Sequence, residues 1–334
     1  MIKAKEFGLI YETPRADESV ARAKLAEVLG FGSYWVPEDY AFPGAFSICS
    51  AIATQTTRIK IGIGVLNPYT RHPVLTAMEF AALDQLSGGR GILGIGAGVK
   101  LWIEDQLGIP YTRPVTAMRE MVAISRALFR GEELAHAGRV FKASGLHFSA
   151  EPVRSEIPIH LGATGQRSLQ LAGEVADGVM LNCMLSTEFV RSAVQHVRDG
   201  AAHAGRDLQN FAMGALLLVA MSEDEQKARD AARPFVAWVV WLFARQPHLP
   251  IFAEAGVSSE NVKRLAESPH PLPELITDDA LARFAVVGSP SRCREAVAGI
   301  IEAGITHPVL GVAHIQDPEQ DVRRVVDEVV SHFL

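Results

Sequence analysis

The run "GIGVLNPYTRHP", Gly62 to Pro73, begins as a buried strand and ends in Asn67 followed by Tyr69, Thr70, Arg71 and His72 between two prolines. A core strand has no use for such a tip, whereas a binding loop does. Other apolar runs end in the same way. "YWVP" passes into Glu38, Asp39 and Tyr40, where an acid could give or take a proton. Adjacent side chains diverge, so one of the two carboxylates at most faces a pocket, and an acid at a loop start also serves to cap the next helix. "GILGIGAG" delivers Gly96 and Gly98, followed by Lys100. "IPIHLGATGQRS" delivers Gly162, Ala163, Thr164, Gly165 and Gln166, followed by Arg167. Small residues that open a helix leave its first backbone N–H groups available for a phosphate, although the same residues also make a plain strand-to-helix turn. "GVMLN" ends in Asn182, and His72 and His160 are further candidates that read equally well as structural residues. There is no HExxH, CxxC or GxSxG pattern, so no metal site or serine nucleophile is expected.

The elements that must carry these tips alternate along the chain. "FGLIY", "YWVP", "IKIGIGV", "GILGIGAG", "IPIHLGA", "GVMLN", "FAMGALLLVAM" and "HPVLGVA" are short strand-like runs, each followed by a helical pattern. Near-continuous apolar strands belong to a sheet covered on both faces. Eight strand–helix units in series predict an α/β fold, a (β/α)8 TIM barrel, with the site at the carboxyl ends of its strands. The chain 1–334 reads as one TIM-barrel domain. "GRVFKASGLHFSAEPVRSEIP" is expected to form a hairpin before the fifth strand, and residues of about 222–285 an insertion between the seventh and eighth strands. "GIGAG" on its own does not make a Rossmann fingerprint.

The net charge of -6, without a dense Lys/Arg run, gives no sign of a nucleic-acid partner. Cys49, Cys183 and Cys293 lie far apart, which fits a reducing, cytoplasmic setting and no disulfide framework. "RPFVAWVVWLFARQP" has about 11 residues between its flanking arginines, well short of the ~20 that cross a bilayer. Its two tryptophans predict burial, against a second subunit of a homodimer.

Taken in order, "NPYTRHP", "LDQLSGGRGILGIGAG", "PIHLGATGQRSLQLAGEVADGVMLN", "LITDDALARFAVVGSP" and "EAGITHPVLG" resemble the luciferase-like flavin and deazaflavin oxidoreductases. Within them the chain is most similar to the coenzyme F420-dependent methylenetetrahydromethanopterin reductases. The resemblance covers almost the whole chain, and "NPYTRHP" and "LAGEVADGV" are its most specific parts. It implies a TIM barrel that moves a hydride between C5 of coenzyme F420 and a small organic substrate. It implies a non-prolyl cis peptide at Gly64–Val65 that bulges against the deazaflavin, with Asn67 shaping the rim. Gly162, Ala163, Thr164, Gly165 and Gln166 would hold the phosphate side of the cofactor, and Gly96, Gly98 and Asn182 complete the cofactor assignment. Glu38 or Asp39 would serve as the acid or base. Relatives often have Asp-His-Tyr where this chain has Glu38, Asp39 and Tyr40, and a Glu where it has Ile10, so a substrate-side carboxylate is absent or moved, for instance to Glu12. The alternatives are an FMN-dependent monooxygenase on the same barrel and a non-catalytic cofactor-binding barrel.

Overall fold

The structure, a computed structural model, describes residues 6–11, 13–40, 42–149, 153–182, 186–245 and 257–333. Eight parallel strands close into a barrel surrounded by helices, the TIM barrel that the strand–helix alternation predicts. The chain divides into two compact units, one of Gly8–Met180 with His196–Ala212, the other of Met1–Phe7, Leu181–Gln195 and Met213–Leu334.

In the first unit β1 (Gly8–Ile10), β2 (Ser33–Val36), β3 (Lys60–Leu66) and β4 (Gly91–Gly96) are neighbours in that order. They are linked by α1 (Ala16–Val28), α2 (Ala45–Gln55) and α3 (Pro73–Ser87). Helix α4 (Pro114–Phe129) follows β4 and leads to an antiparallel hairpin, β5 (Leu134–Ala137) with β6 (Lys142–Leu146). The parallel sheet then continues through β7 (Ile159–Gly162), α5 (Gln166–Val175) and β8 (Gly178–Leu181). Helix α3 shows how local chemistry sets these bounds. His72 accepts the Val74 N–H as N-cap, Pro73 occupies the first turn, and Gly88 closes the helix at φ 66°.

Several motifs of this unit hold the frame at the amino ends of the strands. In "LDQLSGGR", Asp84 is 1% exposed and takes a two-pronged ion pair from Arg154, at 2.7 and 3.0 Å. Arg90 of the same motif donates to the carbonyls of Ala53, Thr56, Ile59 and Ser87 and to the Thr56 hydroxyl. In "LAGEVADGV", the Asp177 carboxylate accepts from the Ile159 N–H and from Arg126, both at 2.8 Å.

In the second unit β9 (Ala212–Met221) pairs in parallel with β10 (Ala285–Gly288) and β11 (His307–Val312). Between β9 and β10 lie α7 (Glu225–Ala244), α8 (Ser259–Glu267) and α9 (Asp278–Phe284); α6 (Thr187–His203) precedes β9. Helix α10 (Pro290–Glu302) joins β10 to β11, and α11 (Pro318–Glu328) follows. The region read as an insertion is thus helical and ends in a short extra strand, β10. The apolar helix expected to pack on a second subunit is α7, and one face of it is covered within its own unit. Val236, Ala237, Val239, Val240 and Phe243 are buried in a cluster with Leu265, Leu275, Leu281 and Phe284 of the same unit. The Trp241 indole N–H donates to the Ser268 carbonyl at 3.0 Å, and the Arg245 guanidinium lies 4.1 Å above its ring. The chain's own helices therefore take up this apolar area.

Candidate active site

The tips of β2, β3, β4 and β7 belong to one unit, and their side chains interlock. Ile63 pairs with Leu93, but Leu66 pairs with Ile95, so three steps along β3 match two along β4. This bulge contains the Gly64–Val65 peptide bond, which is cis. The neighbouring strands are shaped to receive it. A Cβ on Gly94 would lie 2.0 Å from the Ile63 carbonyl oxygen, and one on Gly96 would lie 2.4 Å from the Val65 side chain. Gly162 on β7 faces the same valine, and a Cβ there would lie 3.2 Å from a Val65 methyl. On the other side of β3, the Trp35 indole of β2 occupies the space that a Cβ on Gly62 would need, at 2.3 Å. Trp35 also lies 5.6 Å from the His160 ring, which places His160 in the packed interior at 8% exposure.

Asn67 follows the bulge and is 5% exposed. Its Oδ1 accepts the N–H groups of Tyr69 and Thr70, at 2.9 and 3.0 Å. Its Nδ2 donates to the Tyr40 hydroxyl at 2.8 Å and to Thr70 Oγ1 at 3.0 Å. One amide thus ties the loop after β2 to the loop after β3. A rim of aromatic rings continues this wall. Trp102 sits in a π-helical turn, Leu101–Gln106, and meets Tyr40 edge-on at 5.3 Å. Tyr69 stacks on Tyr111 at 4.8 Å and donates its hydroxyl to the Thr112 carbonyl. Burial raises the pKa of both phenols, that of Tyr111 to about 12, so both stay protonated. Gly98 sits at φ 71°, where an added Cβ would meet Ile103 and Asn67.

Glu38 accepts the Ala45 N–H at 2.7 Å and so caps α2, whose own N-cap, Gly44, has no side chain to do it. Asp39 lies next to it in the same loop; the Tyr40 pKa is raised chiefly by burial, with smaller contributions from these two acids. Lys100 pairs with Glu104 at 2.9 Å. The turn Gly162–Gln166 opens α5 from a Gly165 N-cap with no side-chain cap, and a Cβ on Gly165 would find only Ser168 Oγ within 4 Å. Asn182 lies in the other unit, just past β8. Glu12 and Cys183 fall outside the described residues. A cleft of about 440 Å³ elsewhere in the first unit is lined by Arg119, Arg126, Arg206, Glu156, Glu174 and Asp177. Arg119 pairs there with Glu174 and Arg126 with Asp177, and the cleft shares no residue with the strand tips. Trp35, Trp102 and Tyr111 are the site residues that sequence reasoning missed. Two of them follow β4 in a stretch with no strand or helix period, and the only signal was their aromatic type at a barrel mouth.

The family model for luciferase-like monooxygenases matches residues 1–307. The chain belongs to the luciferase-like monooxygenase family. Within it the chain is 33% identical to the 5,10-methylenetetrahydromethanopterin reductase of Archaeoglobus fulgidus, over 92% of this chain and 93% of that protein. It is 31% identical to the enzyme of the same name from Methanolobus tindarius, over 92% of this chain and 94% of that one. The solved coenzyme F420-dependent tetrahydromethanopterin reductase from Methanopyrus kandleri superposes with a TM-score of 0.82 at 27% identity, each chain covered in full. The bulged β3 and its glycine-lined neighbours therefore sit on a luciferase-like barrel over its whole length.

Proposed function

We propose that the protein is an F420-dependent oxidoreductase that transfers a hydride between the deazaflavin and a small organic substrate. The observation that carries this reading is the full-length similarity to F420-dependent reductases, on a chain whose β3 tip bulges beside a glycine-lined surface. When bound, the cofactor supplies the hydride chemistry at its C5. The chain's own groups bind, orient and exclude water. Gly64 and Val65 form the backstop for the ring. Thr164, Gly165 and Gln166 would offer N–H groups at the start of α5 to the cofactor phosphate, a fit supported by the open space beside Gly165, while Gly162 and Ala163, whose N–H donates to the Met180 carbonyl, anchor the turn to the sheet and would line the same phosphate side. Gly96 keeps Val65 in place, and Gly98 lets the chain turn against Asn67 and Ile103. Asn67 holds the rim, and Asn182 completes the cofactor assignment. Glu38 keeps the second loop on α2, and Asp39 beside it acts through its charge on the Tyr40 phenol. The aromatic rim of Tyr40, Tyr69, Trp102 and Tyr111 would shut water out around a bound substrate.

The deciding experiment is equilibrium binding of the purified protein to F420 and to FMN in parallel. Tight F420 binding without FMN binding is expected. The reverse preference would overturn the reading and favour a flavin monooxygenase.

We further propose a cytoplasmic homodimer. Among the described residues no helix is long and apolar enough to cross a membrane, and Cys49 and Cys293 are free and buried, as suits a reducing compartment. The dimer reading is supported by the outer face of α3, where Leu75, Met78 and Leu86 are each about half exposed, at 48%, 51% and 54%.

A further inference from the structure

We infer that the Tyr40 hydroxyl exchanges the proton that accompanies hydride transfer, and that Thr70 connects it to solvent. The inference rests on the oxidoreductase reading above and adds to it a catalytic residue and a chemical class of substrate, a carbonyl compound or its alcohol.

The oxygen and the nitrogen of a side-chain amide are told apart by their partners. Here two backbone N–H groups, of Tyr69 and Thr70, converge on one end of the Asn67 amide, so that end is the oxygen. The other end is the NH2 group, with two hydrogens and no capacity to accept. Both hydrogens have acceptors, the Tyr40 hydroxyl at 2.8 Å and Thr70 Oγ1 at 3.0 Å. Each hydroxyl oxygen is therefore an acceptor towards Asn67, and each keeps its own hydrogen to donate elsewhere. Asn67 cannot take the Tyr40 proton, and it fixes the phenol oxygen in position without consuming its acidity.

The surroundings suit a proton donor with a return path. The Tyr40 ring is held edge-on against Trp102 and is half-buried at the carboxyl end of β2. Thr70 is exposed, next to the phenol and held by the same amide. Of the two acids that precede Tyr40, Glu38 is engaged at the start of α2, where it accepts the Ala45 N–H. The charged groups acting on the phenol are Glu38 and Asp39. Burial, foremost, and these two acids raise its pKa, while hydrogen bonds from Thr70 and Asn67 lower it; the net shift is upward, so the group is protonated at neutral pH.

In the reducing direction the substrate carbon receives the hydride from the reduced deazaflavin and forms a C–H bond. The carbonyl π pair moves onto the substrate oxygen, which takes the Tyr40 proton and becomes a hydroxyl. The phenolate recovers a proton from Thr70, which recovers one from water. The oxidising direction reverses each transfer. A substrate that is already a cation, such as an iminium, accepts a hydride without any proton and would make no use of this arrangement.

The test uses the full chain loaded with reduced F420 and three carbonyl probes, acetone, cyclohexanone and benzaldehyde, with methylenetetrahydromethanopterin as the iminium-type control. F420 affinity is measured first, by fluorescence, and its absence in the wild type would reject the oxidoreductase reading rather than the role of Tyr40. With F420 bound, turnover of at least one carbonyl is expected. Tyr40→Phe should keep the F420 affinity and lower kcat by about 100-fold or more, in the range of a lost general acid. The wild-type rate should fall as pH rises through the phenol's pKa, and Tyr40→Phe should lack that alkaline limb. Thr70→Val should lower kcat and Thr70→Ser should restore it, which keeps the test open if the Tyr40 variant fails to fold. Wild-type kcat in both Tyr40→Phe and Thr70→Val, loss of F420 affinity in step with kcat, or turnover of the iminium control with no carbonyl accepted would each overturn the inference.

Discussion

Val65 and Gly96 compete for one volume. With any side chain at position 96 the two would overlap, because the first added atom falls 2.4 Å from a Val65 methyl. Gly96→Ala is therefore expected to cost about 1–3 kcal/mol of stability, the usual penalty of overpacking. Trimming the valine in the same chain should return most of it. The double variant Gly96→Ala with Val65→Ala should unfold in urea near the midpoint of Val65→Ala alone, a coupling that only direct contact produces. Additive losses would show that Gly96 answers to something other than Val65. Gly94 and Gly96 make room for protein atoms of the bulge, and through them for whatever rests on it.

Helix α2 and the β5–β6 hairpin are each fastened by one ionised side chain that collects backbone groups. Arg90 donates to three carbonyls at and just past the carboxyl end of α2 and to the Ser87 carbonyl that ends α3, at 2.7 to 2.9 Å. A lysine has the charge without the planar fork. Arg90→Lys should leave buried carbonyls unmet and cost about 1–3 kcal/mol, seen as a lower urea midpoint with an unchanged m-value. Glu120 does the reverse for the hairpin. It accepts the N–H groups of Arg139, Val140 and Phe141 at 2.7, 3.0 and 2.8 Å. Burial pushes its pKa up, but these N–H groups and His136 pull it further down, and the net is a lowered value. A carboxylate with a folded-state pKa below its unfolded value contributes stability above about pH 4.3, and that contribution is lost as pH falls through the folded value. Urea midpoints measured from neutral pH downward should drop in this acid window. Glu120→Gln should be weaker at neutral pH and should show a shallower drop; an identical slope would assign the acid sensitivity to other carboxylates.

For the whole molecule, assembly hinges on which apolar surface is left uncovered. Helix α7 is covered within its own unit, so the tryptophans that suggested an interface contribute to a folded core instead. The exposed leucines and methionine of α3 lie on one face, three and eight residues apart, and are left uncovered. Met78→Glu is expected to shift the protein toward monomer in sedimentation at micromolar concentration, with the barrel's thermal transition retained. A variant that sediments as the wild type would place the contact elsewhere, and a monomeric wild type would remove the dimer altogether.

The amino-acid sequence by itself determined the α/β alternation, the barrel and the family resemblance. These depend on local periodicity and on short runs such as "NPYTRHP", whose residues are contiguous. A hairpin before β7 was legible for the same reason, although its first strand, β5, precedes the stretch that begins at Gly138. Only the tertiary structure decided what the individual residues touch. Glu38 became a helix cap because Ala45, seven residues on, turns its N–H toward it. Asn67 became a knot between two loops because Tyr40, 27 residues away, reaches it from the next strand. The π-helical turn with Trp102, the extra strand β10 and the covered face of α7 likewise arise from packing between distant segments. Periodicity reports which face of an element is apolar, but the partner that covers it is chosen by three-dimensional fit, which no local pattern encodes.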